Sequence, residues 1–460
     1  MSTRQDQAPS PPVGSRDDLV AWIAAGSKPR ERWRIGTEHE KFLFHVDTLK
    51  PVPYAGPRGV RALMQSLIDR FGWLPIMEGD NIIALKRPEG EAGGTVSLEP
   101  GGQFELSGDP LANVHQVCAE THAHLSQCLS VGSPLGIGLL GMGFAPHWTL
   151  DEMPRMPKQR YDVMTRYMPK VGTRGLDMMY RTCTIQVNLD FADEADMVQK
   201  FRVSLALQPI ATAIFACSPF TEGKPNGYLS ARSEVWRDTD KRRTGILPFV
   251  FEPGMSFERY ADYALDVPMY FVYRDGRYID AAGASFRDFL AGKLAQLPGE
   301  RPTLDDWSDH LTTLFPEVRM KRFLEMRGAD GGRWRRICAL PAFWVGLLYD
   351  QTSLDAAWDL VKDWTAEDRQ ALRDAVPRTA LGTPIRTTTT LEIARQALAI
   401  SSAGLQRRAL RDAEGRDESR FLEPIDTILR EGCSPADELL SRYEGPWGRS
   451  TAPLFTEYAF

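Results

Sequence analysis

One stretch of sequence decides the fold: Arg34-Ile35-Gly36-Thr37-Glu38-His39-Glu40-Lys41-Phe42. Side chains alternate between the two faces of a β-strand, so Glu38 and Glu40 share one face and His39 lies on the other. Two neighbouring carboxylates repel each other, and a fold that buries them must supply a cation. The stretch therefore predicts a strand that begins a metal-lined polar face.

Other segments of the chain repeat this pattern, with short acids and amides on one side and apolar residues on the other. They contain Ser97, Glu99, Gln103 and Glu105; Thr184, Gln186 and Asn188; and Glu325 and Arg327. A plain solvated face is the alternative, because antiparallel sheets commonly have one face in water. Oxygen ligands at alternating positions suit hard cations, so the pattern favours a face that binds Mg²⁺ and, with it, a nucleoside triphosphate.

The bulk properties exclude several classes of protein. A net charge of −6 argues against a general nucleic-acid binder. The sequence has no apolar run of about 18 residues, so a membrane span is not expected. None of the six cysteines forms a Cys-x-x-Cys pair, which indicates a reducing compartment and predicts a cytoplasmic location.

The periodicity predicts one α+β domain over residues 16–460, preceded by a flexible, Pro-rich tail over residues 1–15. Residues 219–256 are predicted as a long connection, and the C-terminal third is predicted to be helical. The other predicted elements are helices at 58–71, 110–130, 194–216 and 422–441 and a strand from Thr182 to Asp190.

Two short patterns carry less weight. The run Gly136-Ile137-Gly138-Leu139-Leu140-Gly141 matches a dinucleotide fingerprint, but no βαβ unit surrounds it. A zinc site is also not expected on the helix that carries Cys118, His122, His124 and Cys128, since helical spacing puts the first two and the last two on different faces. His39 points away from the glutamates and is expected to pack in the core.

Longer motifs resemble one known family, the plant-type glutamate–cysteine ligases, from about residue 30 to the C-terminus. The motifs include residues 36–42 (GTEHEKF), 97–107 (SLEPGGQFELS), 156–162 (MPKQRYD), 181–188 (RTCTIQVN), 219–227 (PFTEGKPNG), 325–332 (EMRGADGG) and 338–344 (CALPAFW). The resemblance implies a fold like the catalytic domain of glutamine synthetase, in which helices surround a curved antiparallel sheet that holds Mg²⁺ and ATP. It also implies a bacterial cytoplasmic enzyme, a monomer or homodimer, that acts on small-molecule substrates without nucleic acid or membrane.

The resemblance further implies roles for individual residues. The implied Mg²⁺ ligands are Glu38, Glu40, Glu99, Glu105 and Glu325, with Gln186 nearby. The residues implied to handle glutamate are Arg160, Arg232 and Tyr270, and those implied to contact phosphate are Arg327, Arg335 and Lys170. Arg160 and Arg327 are the implied catalytic residues. Cys118 and Cys338 match a redox-regulatory disulfide of plant members, whereas Ala281 and Gln296 stand where a second plant pair would be.

The implied reaction joins L-glutamate to L-cysteine with ATP, the first step of glutathione synthesis. The chemistry agrees with the residues: ATP held in line with the γ-carboxylate gives an acyl phosphate, which the amine of cysteine then attacks, and no protein nucleophile is needed. Two alternatives stay open. One is a related ligase that joins glutamate to another amine, and the other is a non-catalytic nucleotide-binding protein.

Overall fold

The strand predicted at residues 34–42 forms the centre of the structure. A computed structural model describes residues 10 and 12–460, and within that part of the chain nine strands form one antiparallel sheet. The central strand runs from Ile35 to His45 and pairs with three others. Helices surround the sheet and make up the C-terminal third, which confirms the predicted α+β class.

The elements are numbered in chain order. The strands are β1 (Ile35–His45), β2 (Leu74–Glu78), β3 (Asn81–Lys86), β4 (Thr95–Leu98), β5 (Phe104–Ser107), β6 (Ile137–Leu140), β7 (Thr184–Leu189), β8 (Phe220–Thr221), β9 (Lys224–Pro225), β10 (Thr244–Gly245), β11 (Phe271–Arg274), β12 (Arg277–Asp280), β13 (Phe315–Pro316), β14 (Val318–Met320), β15 (Leu324–Asp330), β16 (Pro384–Ile385) and β17 (Thr388–Thr389). The helices are α1 (Arg16–Ala24), α2 (Val60–Phe71), α3 (Val114–Gly132), α4 (Gln159–Tyr167), α5 (Gly175–Arg181), α6 (Glu194–Ile214), α7 (Ala231–Trp236), α8 (Phe257–Asp266), α9 (Phe286–Leu290), α10 (Leu304–Thr312), α11 (Trp334–Leu348), α12 (Gln351–Val361), α13 (Ala366–Thr379), α14 (Thr390–Arg408), α15 (Glu423–Glu431), α16 (Pro435–Glu444) and α17 (Leu454–Glu457).

The sheet order brings together segments that are far apart in sequence. The order is β14-β15-β7-β1-β5-β4-β3-β2, and β6 pairs with the second half of β1. The apolar side chains of β1 and β7, such as Ile35, Ile185 and Val187, pack with α6 and α11 in one core cluster. Because successive side chains alternate, this packing leaves the opposite face of the same strands for polar groups.

The predicted flexible tail is wrong at its C-terminal end. Residues 1–9 and 11 lie outside the described part of the chain. Val13 is buried, and its backbone N–H donates to the carbonyl of Pro302 over 2.7 Å. An apolar side chain that reaches the core fixes the backbone around it, so the segment just before α1 belongs to the fold.

Two other predicted segments need correction. The connection over residues 219–256 contains α7, whose first turn is capped by the Ser230 hydroxyl as it accepts from the N–H of Ser233. The single helix predicted at 422–441 is two helices, α15 and α16. Gly432 separates them with a φ of +70°, a left-handed conformation that favours glycine and ends a helix.

The helices can also be compared with the length of a bilayer crossing. No helix within the described residues combines the length and the apolar character needed to cross a bilayer.

Candidate active site

Strand register places the predicted acids on one face. Glu40 lies directly opposite Glu105 in the β1–β5 pair, and Glu38 lies opposite Gln186 in the β1–β7 pair. Residues directly opposite each other in antiparallel strands point to the same side of the sheet. His39 points to the other side, where its ring lies 3.1 Å from the ammonium of Lys41. The predicted polar face therefore exists, and His39 is not part of it.

A cavity lies over this face. Glu99 enters it from the end of β4, and α4, α5 and α7 supply the opposite wall. Its lining includes these predicted residues: Glu38, Glu40, Glu99, Glu105, Gln186, Arg160, Arg232 and Arg327. It also includes Lys158, Tyr161, Trp236 and Arg319, which the sequence did not single out. The cavity thus combines carboxylates from the sheet with guanidinium groups from both the sheet and the surrounding helices.

The carboxyl groups of Glu40 and Glu105 are buried and form no ion pair within the described residues, so the negative charge that each gains on ionisation is costly. Burial, together with the negative charge of Glu99, raises the pKa of Glu40 to about 8. Burial and the same neighbour raise the pKa of Glu105 well above its ordinary value. Two serine hydroxyls donate to Glu105, from Ser97 at 3.2 Å and Ser107 at 3.3 Å, but they bring no positive charge.

A divalent cation would compensate this charge. Within residues 10 and 12–460, no three His, Cys, Asp or Glu side chains converge closely enough to form a metal cage as they stand. The chemistry of the donors nevertheless fits Mg²⁺, which binds through one or two carboxylates and keeps water and phosphate as its other ligands. The fit rests on Glu40, Glu99 and Glu105, with Glu38 beside them held by the amide of Asn188 at 3.0 Å.

Glu325 differs from the other acids and does not support its predicted role as a metal ligand. Its side chain is 0% exposed, and Arg319 donates to both carboxylate oxygens at 2.8 and 3.0 Å. Lys321 lies 3.3 Å away and Arg327 contacts the same group. Although burial opposes it, these three cations hold the pKa of Glu325 well below its ordinary value. Its oxygens are therefore already occupied by cationic side chains.

The predicted guanidinium groups reach the cavity from three elements, α4, α7 and β15. Arg327 projects from β15, and its Nη1 donates to the Gln186 amide oxygen at 2.6 Å. Gln186 therefore orients an arginine in this structure. Arg232 lies on α7, where Nη2 donates to the backbone carbonyl of Arg327 at 2.9 Å.

Arg232 and Trp236 present donors that have no hydrogen-bond partner in the described part of the chain. Arg232 Nε and Trp236 Nε1 are both buried and unbonded, and both side chains line the cavity one helical turn apart. A buried N–H without a partner is costly, so each donor is expected to meet an acceptor on a ligand. Trp236 was not among the predicted site residues, because the segment that forms α7 was predicted as part of a long connection.

Arg160 lines the cavity, whereas four predicted residues do not: Glu325, described above, and Tyr270, Lys170 and Arg335. Arg160 lies on α4, with its guanidinium 5.0 Å from the ring centroid of Phe271. Tyr270 is buried one layer back, and its hydroxyl lies 3.7 Å from the sulfur of Met168. Lys170 is exposed beyond the end of α4. Arg335 is also exposed and pairs with Glu423 at 3.5 Å.

Lys158 and Tyr161 are further residues that the sequence analysis missed. The ammonium of Lys158 and the hydroxyl of Tyr161 both donate to the Leu98 carbonyl at 2.8 Å. The motif at residues 156–162 could have pointed to them, because it brings a lysine, an arginine and a tyrosine within four residues of one another.

Cys118 and Cys338 lie together at a second cavity. Their sulfur atoms are 2.7 Å apart, and all cysteines of the described chain are free thiols. The cavity has a volume of about 600 Å³, and Arg335 lines it too. The structure thus places the predicted pair in contact, away from the carboxylate-lined cavity, without a disulfide bond.

Comparisons with known proteins agree on one family. The sequence profile of glutamate-cysteine ligase family 2 matches residues 34–457. The chloroplastic glutamate–cysteine ligases of Nicotiana tabacum and Arabidopsis thaliana are both 57% identical over 97% of this chain and 83% of their own length. Among solved structures, a glutamate–cysteine ligase from Francisella tularensis in complex with AMP gives a TM-score of 0.51. The match covers 93% of this chain and 89% of that one at 11% identity, which shows likeness of fold alone.

These relatives contradict the predicted cytoplasmic location, because the similar proteins are named chloroplastic. The prediction was drawn from cysteine usage and from the family resemblance. Unpaired cysteines indicate a reducing compartment, but they do not distinguish one such compartment from another.

Proposed function

The chain belongs to glutamate-cysteine ligase family 2, and we propose that it joins the γ-carboxylate of L-glutamate to the amino group of L-cysteine, with cleavage of ATP to ADP and phosphate. This reaction is the first step of glutathione synthesis. The observation that carries the proposal is one cavity that brings together buried carboxyl groups without an ion-pair partner in the described chain and arginines from the sheet and from the helices around it. Such a cavity suits a metal-bound nucleotide and an acidic amino acid at the same time.

Glutamate would meet the cationic side of the cavity. Arg232 and Trp236 offer unbonded donors from consecutive turns of α7, and Arg160 adds a guanidinium from α4. A guanidinium can bind a carboxylate with two hydrogen bonds, which fixes its orientation as well as its position. We expect these groups to hold the α-carboxylate of glutamate so that the γ-carboxylate points toward the sheet.

Glu38, Glu40, Glu99 and Glu105 would hold Mg²⁺. The bound ion supplies charge neutralisation for the ATP phosphates and a template that aligns them with the acceptor oxygen. The protein contributes a rigid sheet to this site, because the four carboxylates extend from β1, β5 and the end of β4. Glu325 has a different task and anchors Arg319 and Arg327.

Neither chemical step needs a nucleophile from the protein, but both need hydrogen-bond donors that stabilise negative charge. Attack of a γ-carboxylate oxygen on the terminal phosphorus gives γ-glutamyl phosphate and ADP, and attack of the cysteine amine then releases phosphate. Arg327 lines the cavity between Gln186 and Glu325, so its remaining N–H groups can stabilise the tetrahedral oxyanion of the second step. Water exclusion by α4, α5 and α7 would protect the acyl phosphate.

A related ligase that uses another amine is the second candidate, because the sheet residues would be unchanged. ADP release tests both candidates. With Mg²⁺, ATP and glutamate present, we expect L-cysteine to raise the ADP release rate at least about 10-fold over the glutamate-only control, since the amine discharges the acyl phosphate. If a different amine raised the ADP release rate more than cysteine does, that amine would be the acceptor. If no amine raised the rate, the ligase function would be rejected.

We also propose that Cys118 and Cys338 form a reversible disulfide, in which a small-molecule disulfide oxidant takes up the two electrons and two protons that the thiols lose. The support is their contact at 2.7 Å, because thiols at that separation can be joined with little movement. We expect reductant to change the ADP release rate of oxidised enzyme by more than about twofold and Cys338→Ser to abolish that response. Cys433→Ser, which alters an exposed cysteine elsewhere, is the matched control. An undiminished response in Cys338→Ser would show that the two thiols are in contact without forming a regulatory disulfide.

Residues 16–460 are proposed to act as one catalytic domain. The cavity takes side chains from β1 near the start of the chain and from β15 near residue 327, and α11 packs beneath the same sheet. The residues that line the cavity are spread from Glu38 to Arg327, and helices beyond them support the sheet.

A further inference from the structure

Among the described residues that line the cavity, Lys158 is the one lysine. It forms no ion pair there. It immediately precedes α4 and is 4% exposed. Its ammonium donates to the carbonyl of Leu98 at 2.8 Å, and it forms no ion pair with any described residue. An ammonium has three N–H donors, so a single neutral carbonyl leaves most of its capacity unused.

Keeping this charge in the cavity costs free energy. A buried cation is favourable only when an anion or several acceptors compensate its lost hydration. Burial lowers the pKa of Lys158 to about 8, although the nearby Glu99 acts in the opposite direction. Lys200, another buried lysine, has the partner that Lys158 lacks, since it pairs with Asp196 at 2.8 Å. The difference indicates that the anion for Lys158 arrives with a ligand.

The position of Lys158 indicates which anion this is. The Leu98 carbonyl precedes Glu99, so the ammonium lies at the end of the cavity where the carboxylates proposed to hold Mg²⁺ are found. Tyr161 donates to the same carbonyl and also lies 3.3 Å from Glu99. The group that Mg²⁺ and a lysine would share there is a phosphate, since a lysine serves phosphate as a compact point charge.

We propose that Lys158 is a catalytic residue that donates hydrogen bonds to the phosphoryl group as it passes from ATP to glutamate; this rests on the proposed ligase function. In that step a bond forms between a γ-carboxylate oxygen and the terminal phosphorus. The bond between that phosphorus and the bridging oxygen of ATP breaks, and its electron pair leaves with ADP. Lys158 stays protonated throughout and stabilises negative charge on the transferred group.

The experiment compares Lys158→Met with Lys170→Met. Met has a similar length without the charge, and removal of an unpaired buried cation should not lower stability. Lys170 is the matched control, because it is an exposed lysine just beyond α4. The readout is positional isotope exchange within ATP in the presence of glutamate and Mg²⁺ without an acceptor, together with the dissociation constants of ATP and glutamate.

We expect Lys158→Met to slow the isotope exchange roughly 100-fold or more, with both dissociation constants within about threefold of wild type, and Lys170→Met to match wild type. Exchange at the wild-type rate in Lys158→Met would overturn the proposal. Loss of ATP or glutamate affinity by about 10-fold or more would overturn it as well, because it would place Lys158 in ground-state binding. Should the Met variant not fold, Lys158→Gln takes its place with the same criteria.

Failure of this proposal can be told apart from failure of the ligase function. Wild-type enzyme without glutamate-dependent isotope exchange would reject the acyl-phosphate reaction itself. Wild-type exchange that persists in Lys158→Met would reject only the role of the lysine.

Discussion

Glu105→Gln is expected to abolish ligase activity while making the metal-free protein more stable. Glu105 is 4% exposed and lies beside Glu40 and Glu99, and burial and these charges raise its pKa. Loss of this carboxylate removes a proposed Mg²⁺ ligand, so ADP release should fall roughly 100- to 1000-fold. The neutral amide no longer needs a compensating charge, so the free energy of unfolding at neutral pH should rise by about 1 kcal/mol or more.

The pH dependence of that stability difference follows from the sign of the shift. Because the folded-state pKa of Glu105 is raised above its unfolded value, its contribution to stability is fully present below the ordinary carboxyl pKa and is lost as pH rises through the folded value. Glu105→Gln should therefore be more stable than wild type at neutral pH and should lose that advantage toward the ordinary carboxyl range. Chemical denaturation at several pH values without metal measures this difference.

The control for Glu105→Gln is Glu91→Gln, which changes an exposed acid that pairs with Arg87 at the surface. Its activity and stability should stay close to wild type, since exposed ion pairs contribute about 0–1 kcal/mol. A Glu105→Gln variant that keeps wild-type activity would remove this residue from the metal site. If the variant were less stable than wild type at neutral pH, the Glu105 carboxylate would have a stabilising partner in the folded protein, contrary to our expectation.

Glu325→Gln is expected to have the opposite effect on stability. This carboxylate is 0% exposed and holds the guanidinium groups of Arg319 and Arg327 and the ammonium of Lys321. Its removal leaves buried cations without a partner, which should lower the free energy of unfolding by about 3–5 kcal/mol. Activity should fall too, because Arg327 loses one of the groups that orient it.

Denaturant unfolding with ligands absent measures the effect of Glu325→Gln. The matched control is Asp426→Asn, which breaks the exposed pair with Arg430 and should change stability by less than about 1 kcal/mol. If Glu325→Gln were as stable as wild type and bound Mg²⁺ more weakly, Glu325 would return to the set of metal ligands.

Strand periodicity predicted the sheet side of the site well. Glu38 and Glu40 are two residues apart on one strand, and Gln186 follows the same alternation on β7, so their common face could be predicted from spacing. Predicting that these strands are neighbours needed more than spacing. The family resemblance implied that the strands lie together in one sheet, and the structure gives the register, with Glu38 opposite Gln186 and Glu40 opposite Glu105.

The helical side of the site was harder to predict. Lys158 lies in a loop that has no periodicity, and its function depends on a carbonyl 60 residues earlier in the chain. The partners of Glu325 were equally hidden, because the pairing of Arg319 with Glu325 exists only once β14 and β15 form a hairpin in one register. Contacts of this kind are tertiary, so local sequence patterns do not report them.

Phosphorylation of the glutamate γ-carboxylate in this cavity transfers one of its oxygen atoms to phosphate, and this transfer can be measured. Glutamate labelled with heavy oxygen in the γ-carboxylate is incubated with the enzyme, Mg²⁺, ATP and cysteine, and the released phosphate is analysed by mass spectrometry. We expect each released phosphate to carry one oxygen from the carboxylate. When the amine attacks the acyl phosphate, the bond between carbon and that oxygen breaks, and the bond between the oxygen and phosphorus stays intact. Unlabelled phosphate released along with γ-glutamylcysteine would contradict the acyl-phosphate route.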